Sequence, residues 1–289
     1  MGRATRGCGC AAAVLVVVVA AAGFVGWKFV YPRWKLRPPP PSGSELRVHV
    51  LDVGPVEGDS ILIESPGGKN ILIDAGEATK AKNVVDALKR YNIQQLDYFI
   101  ITHPHPDHMG GAAEVFKAVK VLNVIDNGQP PSIPPSLLPK PPPAQKQQGR
   151  VKPAPTPTPA KGRPRQKTII SFYEDYKEAL KNSGAHYATA QAGTKYDIGG
   201  GALMTVLGPT EPLFTKDNMK TGGNEANANS IVVRLDYGSF SMLLTGDAEE
   251  QTEHRMLSKE ANVEANVLKV AHHGSKYATA RDFVERVKP

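Results

Sequence analysis

The stretch THPHPDHMGG, residues 102–111, holds three histidines and one aspartate within six positions, 103–108. Imidazole nitrogens and carboxylate oxygens are the donors that zinc, manganese and iron accept. His103 and His105, two apart, can converge on one ion, while Asp107 and His108 can face a second ion a few ångströms away. A solvated histidine tract would need neither the apolar run LDYFIIT before it nor Gly110 and Gly111 after it. The pattern therefore predicts a metal centre in the loop that ends a buried strand.

The surrounding elements must hold that loop. Residues 46–53 (LRVHVLDV) alternate and read as a strand, and residues 60–65 and 70–74 read as two strands joined by a tight turn at Gly67 and Gly68. Helical spacing runs through Val84, Val85, Leu88 and Tyr91, so residues 81–91 read as a helix. Residues 96–102 form the strand before the cluster, and residues 111–119 the helix after it. A strand at 121–125 and a helix at 169–182 follow, then strands at 203–207, 230–235 and 241–245. A helix at 248–258 and a strand at 266–271 complete the pattern. Such alternation indicates a layered, mixed α/β fold.

Charge is distributed unevenly. The formal net charge is +7 over 289 residues. Residues 1–44 carry six basic side chains and no acid, and residues 129–167 carry eight and no acid, so the remainder is net −7. The basic pI therefore does not imply a basic groove on the folded body. Of the 25 prolines, 17 lie at 38–41 and 129–167, which marks a linker and a Pro/Lys-rich insertion expected to be disordered. The two cysteines, Cys8 and Cys10, both precede the body, which therefore holds no disulfide and suits either redox compartment.

Residues 11–30 are almost continuously apolar and read as a single membrane-spanning anchor, with a cleaved signal segment as the rival reading and a buried soluble helix as the plain alternative. Lys28 near the segment's end and Arg33, Lys35 and Arg37 after it outnumber Arg3 and Arg6 before it, which pulls the body toward the cytoplasm. Its signal-like organisation points the other way. The expected organisation is a tail (1–10), the anchor (11–30), a Pro-rich linker (31–44) and one domain (45–289) interrupted at 129–167.

The cluster does not stand alone. Asp52-Val53-Gly54, Gly58-Asp59-Ser60 and Ile73-Asp74-Ala75-Gly76 precede it; Asn229-Ser230, Leu244-Thr245-Gly246-Asp247 and His272-His273-Gly274-Ser275 follow. In this order the set resembles the metallo-β-lactamase superfamily, and in particular the metallo-β-lactamase domain of the competence-protein ComEC family. The resemblance implies an αββα sandwich and a metal-dependent hydrolase with two divalent ions, Zn²⁺ or Mn²⁺, which generate the attacking hydroxide. It assigns His103 and His105 to the first ion, Asp107 and His108 to the second, and Asp247 to both. One of His272 and His273 completes the second set, and the other is a candidate proton donor to the leaving group. It also implies a bacterial membrane protein with an extracytoplasmic body and a phosphodiester, DNA or RNA, as substrate. It names no protein partner.

Two departures matter. The element DVGPVEGDS carries two extra residues compared with the family's first loop. The third histidine that classical members give to the first ion is missing: His186 alone lies between Met109 and Asp247, in an unrelated context. Asn229 is a candidate weak ligand instead. Asp74 reads as a carboxylate that orients a ligand or as a strand cap. Asp59 and Ser60 either line the pocket or hold the hairpin, and Ser275 and Lys276 are candidate substrate contacts. His49, His186 and His254 read as structural or surface residues. Related domains continue beyond the His-His-Gly-Ser element, so the sequence reads as C-terminally truncated. Two other functions fit the same residues: hydrolysis of a small ester, lactone or β-lactam, and a non-catalytic binding module with a degenerate site.

Overall fold

Short apolar runs separated by tight turns assemble into two sheets in a computed structural model that describes residues 43–54, 58–131, 168–219 and 223–289. The first sheet contains β1 (Arg47–Val50), β2 (Ile61–Glu64), β3 (Asn70–Ile73), β4 (Gln95–Ile100), β5 (Lys120–Asp126) and β6 (His186–Thr189), in that spatial order. Its first three strands run antiparallel, and β3 through β6 are parallel. The second contains β7 (Lys195–Gly199), β8 (Ala202–Gly208), β9 (Val232–Tyr237), β10 (Phe240–Leu244) and β11 (Val267–Lys269), ordered β11-β10-β9-β8-β7. Only β10 and β11 pair parallel in this sheet.

Alternation along the strands decides what lies between the sheets. Ile61, Ile63, Ile71 and Ile73 share one apolar cluster with Val206, Val233, Leu235 and Leu244 of the second sheet. Each such side chain, once buried, contributes about 1.5–3 kcal/mol. The alternate residues Leu62, Leu72 and Phe99 are buried on the opposite face of the first sheet. There the Phe99 ring lies 5.5 Å from Phe116 of α3 (Ala112–Ala118), which in turn lies 6.4 Å from Tyr176 of α4 (Ile169–Ser183). On the outer face of the second sheet, Val232 and Leu243 pack with Met256 of α6 (Glu250–Ser258) and with Phe283 and Val287 of α7 (Arg281–Val287). Helices thus flank two mixed sheets, the αββα arrangement expected. The Glu253 carboxylate, fully buried, accepts hydrogen bonds from the Thr279 and Ala280 amides at 2.6 and 2.8 Å and so ties α6 to the start of α7.

The predicted strand at 46–53 shortens to β1: the Leu51 amide still donates to the Ser60 carbonyl, after which the ladder ends. The helix expected at 81–91 forms as α1 (Ala81–Arg90), and the strand at 266–271 contracts to the three residues of β11. β6, β7 and α7 carry too weak a pattern to have been expected. All four residues of β6 are exposed, and β7 buries only Ile198. The segment 11–30 and residues 132–167 of the insertion lie outside the described residues. No helix among the described residues is long and apolar enough to cross a membrane.

Candidate metal centre

The cluster loop starts where β4 stops, and Asp74 of the neighbouring strand fixes its first residue. Asp74 adopts a left-handed backbone (φ 59°), a conformation that aspartate tolerates better than most residues. Its Oδ1 accepts the Thr102 amide at 2.8 Å and its Oδ2 the Thr102 hydroxyl at 2.7 Å. The same Oδ2 lies 2.8 Å from Nδ1 of His108, which leaves Nε2 of that ring aimed at the cluster. Asp107 and His108 sit on the one-turn helix α2 (Pro106–Met109), with Pro106 at its first position. A side chain at Gly111 would lie 2.2 Å from the Ala75 carbonyl, and one at Gly58 2.6 Å from that of Asp107. Both approaches require glycine.

The second sheet supplies the remaining donors. After β10, Gly246 turns the chain through a positive φ (51°), and Asp247 follows with its amide 3.2 Å from the Ser230 hydroxyl. His272 and His273 lie past β11 in a turn anchored by the His272 amide on the Gly246 carbonyl. Both have left-handed backbones (φ 48° and 51°), a strain of about 1–3 kcal/mol each. Strand alternation does not reach them.

These side chains converge. One oxygen of Asp247 lies 3.2 Å from His108 Nε2. The other lies 3.5 Å from His273 Nε2, 3.8 Å from His103 Nε2 and 3.9 Å from His272 Nε2. Asp107 Oδ2 lies 3.3 Å from His273 Nε2 and 3.5 Å from His108 Nε2. The His103 and His105 rings meet edge-on at 4.6 Å. Donor atoms of Asp107, His108, Asp247 and His273 all fall within 4.8 Å of one another, as do those of Asp59, Asp74 and His108. Donors bonded at 2.0–2.2 Å to one tetrahedral ion stand about 3.3 Å apart, so the first of these groups fits a divalent cation. His103 Nε2 is buried with no hydrogen-bond partner, as a ligand atom aimed at a cation would be.

The electrostatics agree with that chemistry. Burial pushes the Asp247 carboxyl up, but hydrogen bonds to His108 and His273 outweigh it and hold the group far below the usual carboxylate range. Burial likewise opposes ionisation of Asp107, and the contacts with His273 and His108 prevail. Hydrogen bonds to Asp107 and Asp247 raise His273 to about 9. Burial lowers the proton affinity of His103, and of His105 against the pull of Asp107. For His108, burial acts downward but the carboxylates of Asp74 and Asp247 win and raise it well above the imidazole range. Carboxylates on one side of the centre thus hold protons on imidazoles that an incoming cation would displace.

The centre floors an open cleft of about 760 Å³, lined also by Glu77, Asn224, Asn227, Glu249 and Tyr277. Its lining includes no lysine or arginine among the described residues.

Other expected site residues fall elsewhere. Asn229 is not aimed at the cluster: its amide accepts from the Phe214 N–H at 2.9 Å and donates to the Phe214 carbonyl at 2.8 Å, which uses both ends to pin a loop. The residue two before it, Asn227, lines the cleft instead; the Asn-x-Asn spacing was the only signal for it. Ser275 lies in the turn after the histidine pair, its hydroxyl 3.4 Å from the Tyr277 amide, and Tyr277 rather than Ser275 lines the cleft. The Lys276 ammonium sits 5.0 Å from the centre of the Tyr277 ring. Ser60 donates to the Asp74 carbonyl. Asp59 pairs with Lys269 at 2.5 Å and stands 4.0 Å from His273; Lys269 had not been expected near the centre. His49 contacts Glu64, His186 lies exposed on β6, and His254 pairs with Asp282.

Residues 53–205 match the metallo-beta-lactamase superfamily. The chain is 26% identical over 263 residues to ComE operon protein 3 of Bacillus subtilis, covering 85% of this chain and 28% of that protein. It is 26% identical over 251 residues to Recombination protein 2 of Haemophilus influenzae (84% and 23%), and 25% identical over 255 residues to competence protein ComA of Neisseria gonorrhoeae (88% and 27%). The chain therefore spans about a quarter of the length of each.

Proposed function

Because this chain belongs to the metallo-β-lactamase superfamily, we propose that it is a metal-dependent hydrolase that cleaves phosphodiester bonds, with a nucleic-acid strand as the substrate. The fold and the converging donors support divalent-metal binding and hydrolysis. The observation that carries the reading is Asp247, whose buried carboxylate lies within 4 Å of four imidazoles contributed by two separate loops. Two divalent cations, Zn²⁺ or Mn²⁺, would supply Lewis acidity and lower the pKa of water from 15.7 toward roughly 7.

The chain's own residues do the rest. Asp107, His108 and His273 form one donor set, His103 and His105 belong to another, and Asp247 stands between them. Asp74 fixes the His108 ring through Nδ1. His103, in which burial disfavours the proton, presents a free lone pair near neutral pH. The family likeness to competence and recombination proteins favours a phosphodiester. One observation favours the second reading, a neutral ester or lactone: the cleft carries Glu77 and Glu249 beside the ligand carboxylates and no described cationic side chain. We also place the body on a bacterial membrane through residues 11–30, outside the cytoplasm, which protease protection of the full chain in membranes would test.

The functional experiment is turnover by the full chain of bis(p-nitrophenyl) phosphate against p-nitrophenyl acetate, with added Mn²⁺ or Zn²⁺, beside Asp107→Ala. Metal-dependent phosphodiester cleavage lost in the variant is the expected result. Ester turnover alone moves the assignment to the second reading. Absence of metal uptake by folded protein overturns both.

A further inference from the structure

The sequence leaves the first ion one histidine short, and the site geometry suggests where the replacement lies. We propose that the adjacent histidines 272 and 273 are divided between the two halves of the centre, with His272 serving as the third imidazole beside His103 and His105. This rests on the two-metal reading above and extends it.

Three observations carry the division. First, the backbone fans the pair apart. In an extended strand, successive side chains point to opposite faces, which would remove one of the two. Two consecutive left-handed residues instead keep both over the cleft, with ring centroids 6.2 Å apart and planes at 72°. Second, the partners differ. His273 Nε2 lies 3.3 Å from both Asp107 Oδ2 and His108 Nε2. All of His272, His273 and His103 face one Asp247 oxygen, at 3.9, 3.5 and 3.8 Å; the close contacts with Asp107 and His108 belong to His273, and His272 stands on the His103 side of that oxygen without them. Third, His103 Nε2 is buried and unpartnered, which calls for a cation on the His103 side and not only between Asp107 and His108.

Asn227 positions the added imidazole. Its Nδ2 lies 3.4 and 3.2 Å from the two nitrogens of His272, so the amide packs across the ring and limits its rotation. Asn227 comes from α5 (Glu225–Ala228), which the Asn224 side chain caps through the Ala226 amide.

The test is metal content of the full chain after equilibration with Mn²⁺ or Zn²⁺ and removal of free ion, with a thermal melt to confirm folding. Wild type should hold two equivalents. Asp107→Asn should empty its own half and retain one. In that background, adding His272→Gln should remove the remaining equivalent, whereas adding His273→Gln should leave it. Asn227→Ala should weaken one equivalent about tenfold and spare the other. Retention of the ion in Asp107→Asn/His272→Gln, or its loss in Asp107→Asn/His273→Gln, overturns the division. A wild type that holds one ion, lost in Asp107→Asn, overturns the division alone. A folded wild type that binds none also overturns the two-metal reading.

Discussion

The two halves of the centre are built differently. His108 and His273 stand 3.2–3.5 Å from the carboxylates of Asp107 and Asp247, and Asp74 braces His108 from behind. His103, His105 and His272 are more widely spaced: His103 and His272 approach Asp247 at 3.8 and 3.9 Å, and His105 also feels the Asp107 carboxylate. The first half is rich in carboxylate and holds protons until a cation arrives. The second is rich in imidazole, and burial disfavours the proton on its His103 and His105. On the proposed division, Asp247 would serve two cation sites of different proton demand, the difference being set by what surrounds each imidazole.

Four perturbations sharpen or break this contrast, beginning with the largest effect. Asp247→Ala removes the group common to both halves; both equivalents of metal should be lost, and turnover should fall by about 10³-fold or more, as expected when several kcal/mol of transition-state stabilisation go. Loss of only one equivalent would show that Asp247 does not bridge. The second perturbation is pH. In the metal-free protein His273 keeps its proton to about pH 9 instead of 6.5, so binding in its half must release that proton. Between pH 6.5 and 9 affinity there should rise by at least about tenfold per unit, because the raised His108 must also give up a proton. The half containing His103 and His105, where burial lowers proton affinity, should be flat over the same range. Calorimetric titration of Asp107→Asn, which reports the second half alone, against wild type separates the two. By the same linkage, the contribution of the His273 contacts to metal-free stability is complete below pH 6.5 and disappears as pH rises through 9.

Third, Asp74→Asn removes the direct brace on His108 and reaches His103 only through the Thr102 hydroxyl. Metal affinity of the tighter half should drop about 10–100-fold, and equal weakening of both halves would contradict the separation. Fourth, Asn229→Ala leaves the Phe214 amide and carbonyl unpaired; it should cost about 1–3 kcal/mol in denaturant unfolding and leave metal content unchanged. A loss of metal would return Asn229 to the ligand set.

How far each part was legible in the sequence follows from the range of the contacts involved. The cluster at 103–108 is local: residue type and spacing alone bring its donors together, and the apolar strand before it announces where they sit. Asp247 was reached only through the family resemblance; a strand, a glycine and an acid in sequence would not have singled it out. The roles of Asn227 and Asn229 were not. Both precede Ser230 with the same chemistry, and only the position of Phe214, fifteen residues away in sequence, decides that Asn229 faces the loop. Which of His272 and His273 serves as the ligand stayed open in the sequence because β11 ends at Lys269 and the following backbone is left-handed. The Asp59–Lys269 pair joins the first loop to β11, a contact between distant segments that periodicity does not register. In the fold, the strands with buried alternation were read, while β6, exposed throughout, offered no pattern.

The central claim is that a metal pair held around Asp247 performs hydrolysis. Its most direct test is to strip the full chain with a chelator, confirm that it stays folded, and follow phosphodiester turnover as Mn²⁺ is added back by known equivalents. The account predicts an inactive stripped protein whose activity returns with the second equivalent. Turnover that survives complete removal of metal, or a folded protein that takes up none, would contradict it.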